Sequence, residues 1–521
     1  MKKFALCSLL FALCACGTGN KWADYYGTAP VGDATDLNAP TRGGGTQKTV
    51  AVILPDSDLG SSVRTSVQMA FVQRRPEDIT VRFTDLSGSA DARAAQMESA
   101  LGQNPDLIIG PIFAEDADTL RRLKPDHTPV LSFTSDATAL GDGIMTMSLI
   151  PNQSVETIIR RMSAEGRKDI MIFAPDNPSG YIMGNAALDA AKIYGLKTQG
   201  FYFYTSGNMD SMKSAAQNAT MFDARGKANT RAKEILSDIL MNRTLTAAER
   251  ASVDKQLEER NKSDTIGDLP FDAVLFLGNA GDSKALGSFL RYFDAPARRV
   301  KFFGTAMWDT PAMFKDMTFS GASFAALPAI SPEFANIYRD ITDREPERIS
   351  PMGYDAAILA IRALHAPQDA GAYLMDPSGF RGLDGLIRLQ PNGQSQRALQ
   401  IMTLDASGTP KIAAPAATNF IRPLYQLSGQ NSTRPYEIKV SGGINPMDYL
   451  RLPESLHGKY SAKTYRAGTD KNTNNESRIT NPEEIVILPE DSSDPVLADP
   501  DFQPVELETV TRVLVDEVEV R

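Results

Sequence analysis

From Thr49 onward, short β-branched or aromatic runs alternate with segments of helical period, and this alternation confines the chain to folds built from βαβ units. Candidate strands Val50 to Leu54, Ile79 to Thr84, Leu107 to Gly110 and Val130 to Phe133 are separated by candidate helices Ser61 to Arg74, Ala90 to Gly102 and Glu115 to Leu123. A second series follows: helix Val155 to Glu165, strand Asp169 to Phe173, helix Tyr181 to Tyr194, strands Thr198 to Tyr204 and Ala273 to Leu277, helix Asp282 to Phe293, strand Val300 to Gly304. Parallel strands need long, right-handed crossovers, and the intervening helices supply them. A chain of 521 residues is long enough for two cores, so the two series predict two α/β lobes.

The first residues, Met1-Lys2-Lys3, precede an apolar run from Phe4 to Ala15 that is far shorter than the roughly 20 residues of a spanning helix. A charged start and a short apolar stretch read as a signal peptide, residues 1–15. All 3 cysteines lie in or just after it, and Leu13-Cys14-Ala15-Cys16 resembles a bacterial lipobox, which implies lipidation of Cys16. Gly17 follows where an Asp would imply inner-membrane retention, so the resemblance implies a periplasmic protein anchored to the inner leaflet of the outer membrane. A lipidated Cys16 leaves no thiol for a disulfide, so core burial must hold the exported chain together.

Residues 16–47 are small, polar and turn-forming, with Gly43-Gly44-Gly45 among them, and read as a flexible tether. A charged interruption at 205–270 reads as a helical insertion, with an amphipathic hairpin at Ala232 to Met241 and Ala247 to Arg260 and a capping box at Thr246 and Glu249. Beyond Phe420 the pattern decays, and residues 421–521 read as a polar, then acidic, largely disordered tail. The formal net charge of -10 sits there: residues 482–521 hold twelve acidic and two basic side chains, leaving the rest balanced. A balanced body has no electrostatic basis for binding nucleic acid, and the tail is a candidate interaction element.

The 3 histidines, His127, His365 and His457, are far apart and lack metal-ligand spacing. No nucleophile elbow, phosphate loop or dinucleotide turn is found, so the expectation is a non-catalytic chain with no cofactor and no metal. What remains are the loops after strand ends, where open parallel sheets bind ligands. Gly110-Pro111-Ile112-Phe113-Ala114 leads into a helix whose free N–H groups suit an anion. Thr134, Ser135 and Asp136 are the candidate polar contacts and Phe113 a candidate cleft wall. Tyr181 and Trp308 are the second lobe's candidate aromatic cover. Packing is the alternative for both aromatics, and helix capping for Thr134 and Ser135.

Val52-Ile53-Leu54-Pro55, Ile109-Gly110-Pro111, Tyr354-Asp355-Ala356 and Gly385-Leu386-Ile387 with Asn392-Gly393 resemble, in this order, the type I periplasmic binding proteins of the leucine-binding kind. Phe133-Thr134-Ser135-Asp136, Gly304-Thr305-Ala306-Met307-Trp308-Asp309 and Phe380-Arg381-Gly382-Leu383-Asp384-Gly385 are similar to stretches of the penicillin-binding protein activator lipoproteins. The resemblance implies a two-lobed fold over residues 48–420, each lobe a mostly parallel sheet flanked by helices, with three hinge crossings near Leu149, Ala326 and Asp384. It places the first lobe at about 48–149 and 327–384 and the second at about 150–326 and 385–415. The implied function is binding a small molecule in the cleft while contacting a peptidoglycan synthase. The alternative is substrate capture for an ABC permease of amino acids or related small anions. Ala114 stands where amino acid receptors commonly carry a hydroxyl. The helical-repeat domain that precedes this one in the enterobacterial activator has only the tether as its counterpart.

Overall fold

The computed structural model describes residues 32–39, 45–420 and 431–456. The leader with Cys16 and the acidic stretch 482–521 lie outside the described residues. Residues up to His457 form one unit.

The chain enters through the two-residue strand β1 (Thr35–Asp36) and continues into the first lobe: β2 (Lys48–Pro55), α1 (Asp58–Arg74), β3 (Ile79–Leu86), α2 (Ala90–Leu101), β4 (Leu107–Ile109), α3 (Ala114–Leu123), β5 (Val130–Ser132) and β6 (Ile144–Thr146). These strands form a parallel sheet ordered β3-β2-β4-β5-β6. In β2 the side chains of Val50, Val52 and Leu54 enter one core cluster, while Ala51 and Ile53 enter another. Burial on both faces is why this strand reads as a continuous apolar run rather than an alternating one. Each fully buried aliphatic of this kind contributes about 1.5–3 kcal/mol.

The second lobe follows with α4 (Pro151–Ala164), β7 (Asp169–Pro175), α5 (Pro178–Ile193), β8 (Lys197–Tyr204), α6 (Met209–Ala219), α7 (Phe222–Leu240), α8 (Ala247–Asn261), β9 (Ala273–Phe276), α9 (Ala280–Tyr292), β10 (Lys301–Gly304) and β11 (Ser323–Ala326). The chain then returns to the first lobe as α10 (Pro332–Thr342), α11 (Ser350–His365) and α12 (Ala370–Leu374), and α11 buries nearly its whole length. It ends with β12 (Phe380–Gly382), β13 (Gly385–Leu389), β14 (Ser395–Arg397), β15 (Gln400–Leu404) and β16 (Pro410–Ala414). The second lobe's sheet runs β16-β15-β11-β10-β9-β7-β8, with β15 and β16 added antiparallel to five parallel strands.

Four boundaries differ from the sequence reading. Residues 385–415 were expected to complete the second lobe, but β13 and β14 join β1 and β12 in a separate four-stranded sheet and only β15 and β16 enter the lobe. The third crossing therefore falls between β14 and β15, not at Asp384. Part of the tether is built into the fold: β1 pairs parallel with β12, Leu37 is buried in the main core, and Arg74 and Arg362 donate to its carbonyl. The insertion holds the expected pair of helices, α7 against α8, where Asn229 donates to the carbonyls of Arg260 and Ser263, and a third helix, α6, ahead of them. α6 lies in the second lobe's own layer through Met212, Ala215, Ala216 and Ala219, and α8 carries the expected capping box. Finally, residues 431–456 of the tail lie along the second lobe, where Phe201 and Ile438 exchange backbone hydrogen bonds of 2.8 and 3.0 Å.

Candidate functional site

Strand direction decides where the lobes face each other. β6 ends at Thr146 and runs directly into the crossing that leads to α4, and β11 ends at Ala326 and runs directly into the crossing back. Both sheets therefore turn their C-terminal edges toward the crossings, the edge at which open α/β sheets bind ligands.

Each lobe opens with the same turn. In the first, Pro55-Asp56-Ser57 ends β2, the Ser57 hydroxyl accepts the Gly60 N–H at 3.2 Å, and a Cβ on Gly60 would lie 1.9 Å from the Pro55 carbonyl oxygen. In the second, Pro175-Asp176-Asn177 ends β7, the Asn177 side chain accepts the Gly180 N–H at 2.9 Å, and a Cβ on Gly180 would lie 1.8 Å from the Pro175 oxygen. Only glycine permits this approach of helix to strand end.

On the first lobe's rim, Phe113 caps α3 with its side chain open to solvent at 41% exposure. Glu115 and Asp116 occupy the first turn of that helix, and Arg93 bridges them at 2.7 and 2.8 Å. The positive end of α3 thus carries the helix's own carboxylates, each held by Arg93. Thr134 is buried: its hydroxyl accepts the Asp136 N–H at 3.2 Å and its carbonyl accepts the Thr146 hydroxyl at 2.6 Å. Asp136 accepts the N–H and hydroxyl of Thr138 at 2.9 and 2.7 Å and so caps a turn of 3₁₀ helix. Ser135 is exposed between them. Thr134 and Asp136 thus make the local capping contacts, while the Asp136 side chain stays open to solvent.

On the second lobe's rim, Tyr181 is half-buried, donates to Asp176 at 2.7 Å and stands edge-on to Phe203. Trp308 is not on the rim. It is fully buried, donates from Nε1 to the Ser283 hydroxyl at 3.0 Å and packs against Phe276 and Phe319. Its place is created by Gly304, where a Cβ would come within 2.1 Å of the indole. Its neighbours reach the surface instead: Met307 is 44% exposed and Asp309 is exposed. The surrounding protein raises the Asp309 pKa by desolvation, and the charge of Arg348 opposes the shift.

Sequence reasoning missed the polar cluster at the crossings. Arg397 is buried, donates to Asp384 at 2.6 Å and from Nε to the Met147 carbonyl at 2.9 Å on the first crossing. Asp384 also pairs with Arg348 at 2.5 Å, and Arg348 donates to Pro328 on the second crossing at 3.2 Å. Gln153, on α4, accepts the Arg397 N–H at 2.7 Å. Asp355, on α11, accepts the N–H groups of Leu383 and Asp384 at 2.8 and 2.9 Å. Burial pushes its carboxyl up to about 7, and those N–H groups oppose the shift. A Cβ on Gly382 would lie 2.3 Å from that carboxylate, which explains the glycine in the Phe380 to Gly385 stretch. The signal was present: Tyr354-Asp355-Ala356 and Phe380 to Gly385 were the short motifs noted in the sequence, and they meet here.

A groove of about 420 Å³, lined in part by Lys48, Asp106, His127 and Asp369, lies at the starts of β2, β4 and β5. That is the opposite edge of the sheet from the crossings. Among the described residues no group of His, Cys, Asp and Glu has metal-ligand geometry, and His365 hydrogen-bonds to Asp78 at 2.9 Å. No described helix is long and apolar enough to cross a membrane.

The sequence profile of the family described as periplasmic binding protein matches residues 49–409. The chain belongs to the periplasmic binding protein family. A putative branched-chain amino acid ABC transporter protein from Rhodospirillum rubrum has a solved structure that aligns with a TM-score of 0.52 at 13% identity, covering 70% of this chain and 99% of that one. A branched-chain amino acid ABC transporter periplasmic ligand-binding protein from Burkholderia xenovorans aligns with a TM-score of 0.50 at 15% identity, covering 73% and 96%. At these identities the likeness is one of fold, the type I two-lobed arrangement. No curated protein sequence gives a match.

Proposed function

We propose that this chain is a periplasmic, non-catalytic receptor that closes its two lobes on a small molecule and delivers it to an ABC permease, with an amino acid as the ligand class. The charged groups beyond the strand ends support the ligand class: Asp309, exposed beyond β10, offers a carboxylate to an ammonium group, and Arg348, ahead of α11 and already paired with Asp384, brings the opposite charge from the other lobe. Open apolar side chains, Phe113 and Met307, lie on the two rims. A zwitterion with an apolar side chain complements that set, and contacts to both lobes favour the closed state over the open one. Lipidation of Cys16 would hold the receptor at the outer membrane's inner leaflet. A thermal-shift and calorimetric screen of the 20 amino acids tests the reading. Stabilisation that Asp309→Asn weakens about tenfold or more in Kd supports it. Absence of stabilisation by every amino acid refutes it.

A second reading is regulation of a peptidoglycan synthase. It is favoured by α8, whose only buried residue is Val253, a helix with most of its surface open to a partner. It is also favoured by the similarity to activator stretches at Phe133 to Asp136 and Gly304 to Asp309. Wild-type synthase activity and unchanged β-lactam sensitivity in cells lacking the protein would remove it.

A further inference from the structure

The two matching turns that open the lobes differ in one respect. Asp56, in the first lobe, is exposed and its carboxylate has no ion-pair or hydrogen-bond partner among the described residues. Its counterpart Asp176 receives two hydrogen bonds from Arg434, from Nε at 2.9 Å and from Nη2 at 3.1 Å. The Arg434 guanidinium lies over the ring of Phe203, 4.3 Å from its centroid, and Tyr181 closes the site by donating to the same carboxylate at 2.7 Å. A carboxylate, an aromatic face and a phenol around one planar cation is the arrangement that recognises guanidinium and ammonium groups. The turn itself does not require the cation, because the first lobe builds the same turn without one.

Arg434 arrives on a separate extended segment. Asn185 donates to the carbonyls of Asn431 and Thr433 at 2.9 and 2.8 Å, and the carboxylate of Glu437 accepts the Phe203 N–H at 3.0 Å. Ile438 makes a single antiparallel bridge to Phe201, and Val440 donates to the Tyr202 hydroxyl at 2.8 Å. Tyr436 projects into solvent, 93% exposed. Few apolar side chains are buried along this stretch, so it belongs to the low-stability end of the structure.

We propose that Asp176, Tyr181 and the face of Phe203 form a cation site on the second lobe's rim, which the chain fills with its own Arg434. A ligand bearing an ammonium or guanidinium group takes the site by displacing residues 431–440. Relevance to transport rests on the receptor reading above; the cation site does not.

Hydrogen exchange on the full chain tests it, with free guanidinium as the probe. In about 50 mM guanidinium chloride, exchange at Ile438 and Val440 is expected to rise about threefold or more over the same concentration of sodium chloride, which screens charge equally but does not stack on Phe203. Asp176→Asn should abolish the difference between the salts, as should Arg434→Gln, while the amides of β7 remain protected in both variants. Equal exchange of the wild-type protein in the two salts overturns the proposal. In a parallel titration L-leucine should bind Arg434→Gln about fivefold tighter than wild type, and weaker binding to the variant counts against competition. Failure of both proteins to bind leucine counts against the amino acid reading, while the salt comparison still decides the cation site.

Discussion

Arg397 and Asp384 meet at 2.6 Å with each side chain only 1% exposed, and through them β14 is tied to the first inter-lobe crossing. A buried pair of this kind adds little net stability compared with apolar replacements, but removing one partner strands the other charge. Asp384→Asn is therefore expected to destabilise the protein by about 3–5 kcal/mol in urea denaturation. Replacing Asp384 and Arg397 together by Leu and Met should cost less than the single change. A double variant as unstable as the sum of the singles would contradict this.

Asp355 makes stability depend on pH in the direction opposite to an ordinary ion-paired carboxylate. Its folded-state pKa, raised to about 7 by burial, exceeds the roughly 3.9 of an unfolded Asp, so the folded state holds the proton more tightly. The associated stability is complete below pH of about 4 and is lost as pH rises to about 7. The stability difference between wild type and Asp355→Asn should narrow, or change sign, by a few kcal/mol across that window, measured by denaturation at constant ionic strength. A difference independent of pH would show that the group does not titrate there.

Trp308 behaves as core. Trp308→Ala should cost about 3–5 kcal/mol, and Met307→Ala, one residue earlier on an open position, about 0.5 kcal/mol or less. Gly304→Ala should be destabilising as well, because the new methyl group collides with the indole. Thermal unfolding of the three variants orders them, and a mild Trp308→Ala would place that ring outside the packed core.

The segment ahead of β2 contributes to folding. Leu37 is 1% exposed, and Leu37→Ala is expected to cost about 2–5 kcal/mol. Removal of residues 1–44, compared with removal of residues 1–31, should lower the unfolding midpoint further, because only the longer deletion takes away β1 and Leu37. Equal midpoints for both truncations would mean that β1 is dispensable.

Legibility followed the range of the interactions. The strands of β2, β4, β7 and β9 were readable because burial on both faces forces consecutive apolar residues, a pattern carried by the strand itself. β1 was not readable: two polar residues, Thr35 and Asp36, pair with β12 some 345 positions away, and no local period marks them. Residues 431–456 escaped for a similar reason: besides a few local turn contacts, their hydrogen bonds go to Phe201, Phe203 and Tyr202 on β8, to Asn185 and to Gln256, all far away in the chain. Gly110, Phe113 and Tyr181 were legible as residues of loops after strand ends, and that is where they lie. For Thr134 and Asp136 the residue types alone left two roles open, because a hydroxyl or carboxylate after a strand caps a turn as readily as it binds a ligand. Asp309 and Arg348, 39 positions apart, carry no motif as a pair and are related only by the crossing of the chain between lobes.

By itself the sequence determined the α/β class, the two series of parallel strands and the loops that follow them, because hydrophobic period and turn residues act over a few positions. Only the tertiary structure decided that Trp308 is core, that Asp384 lies in a buried ion cluster and that Arg434 sits on the second lobe's rim. Each of those depends on desolvation and charge pairing between segments distant in the chain, which no local pattern of residues encodes.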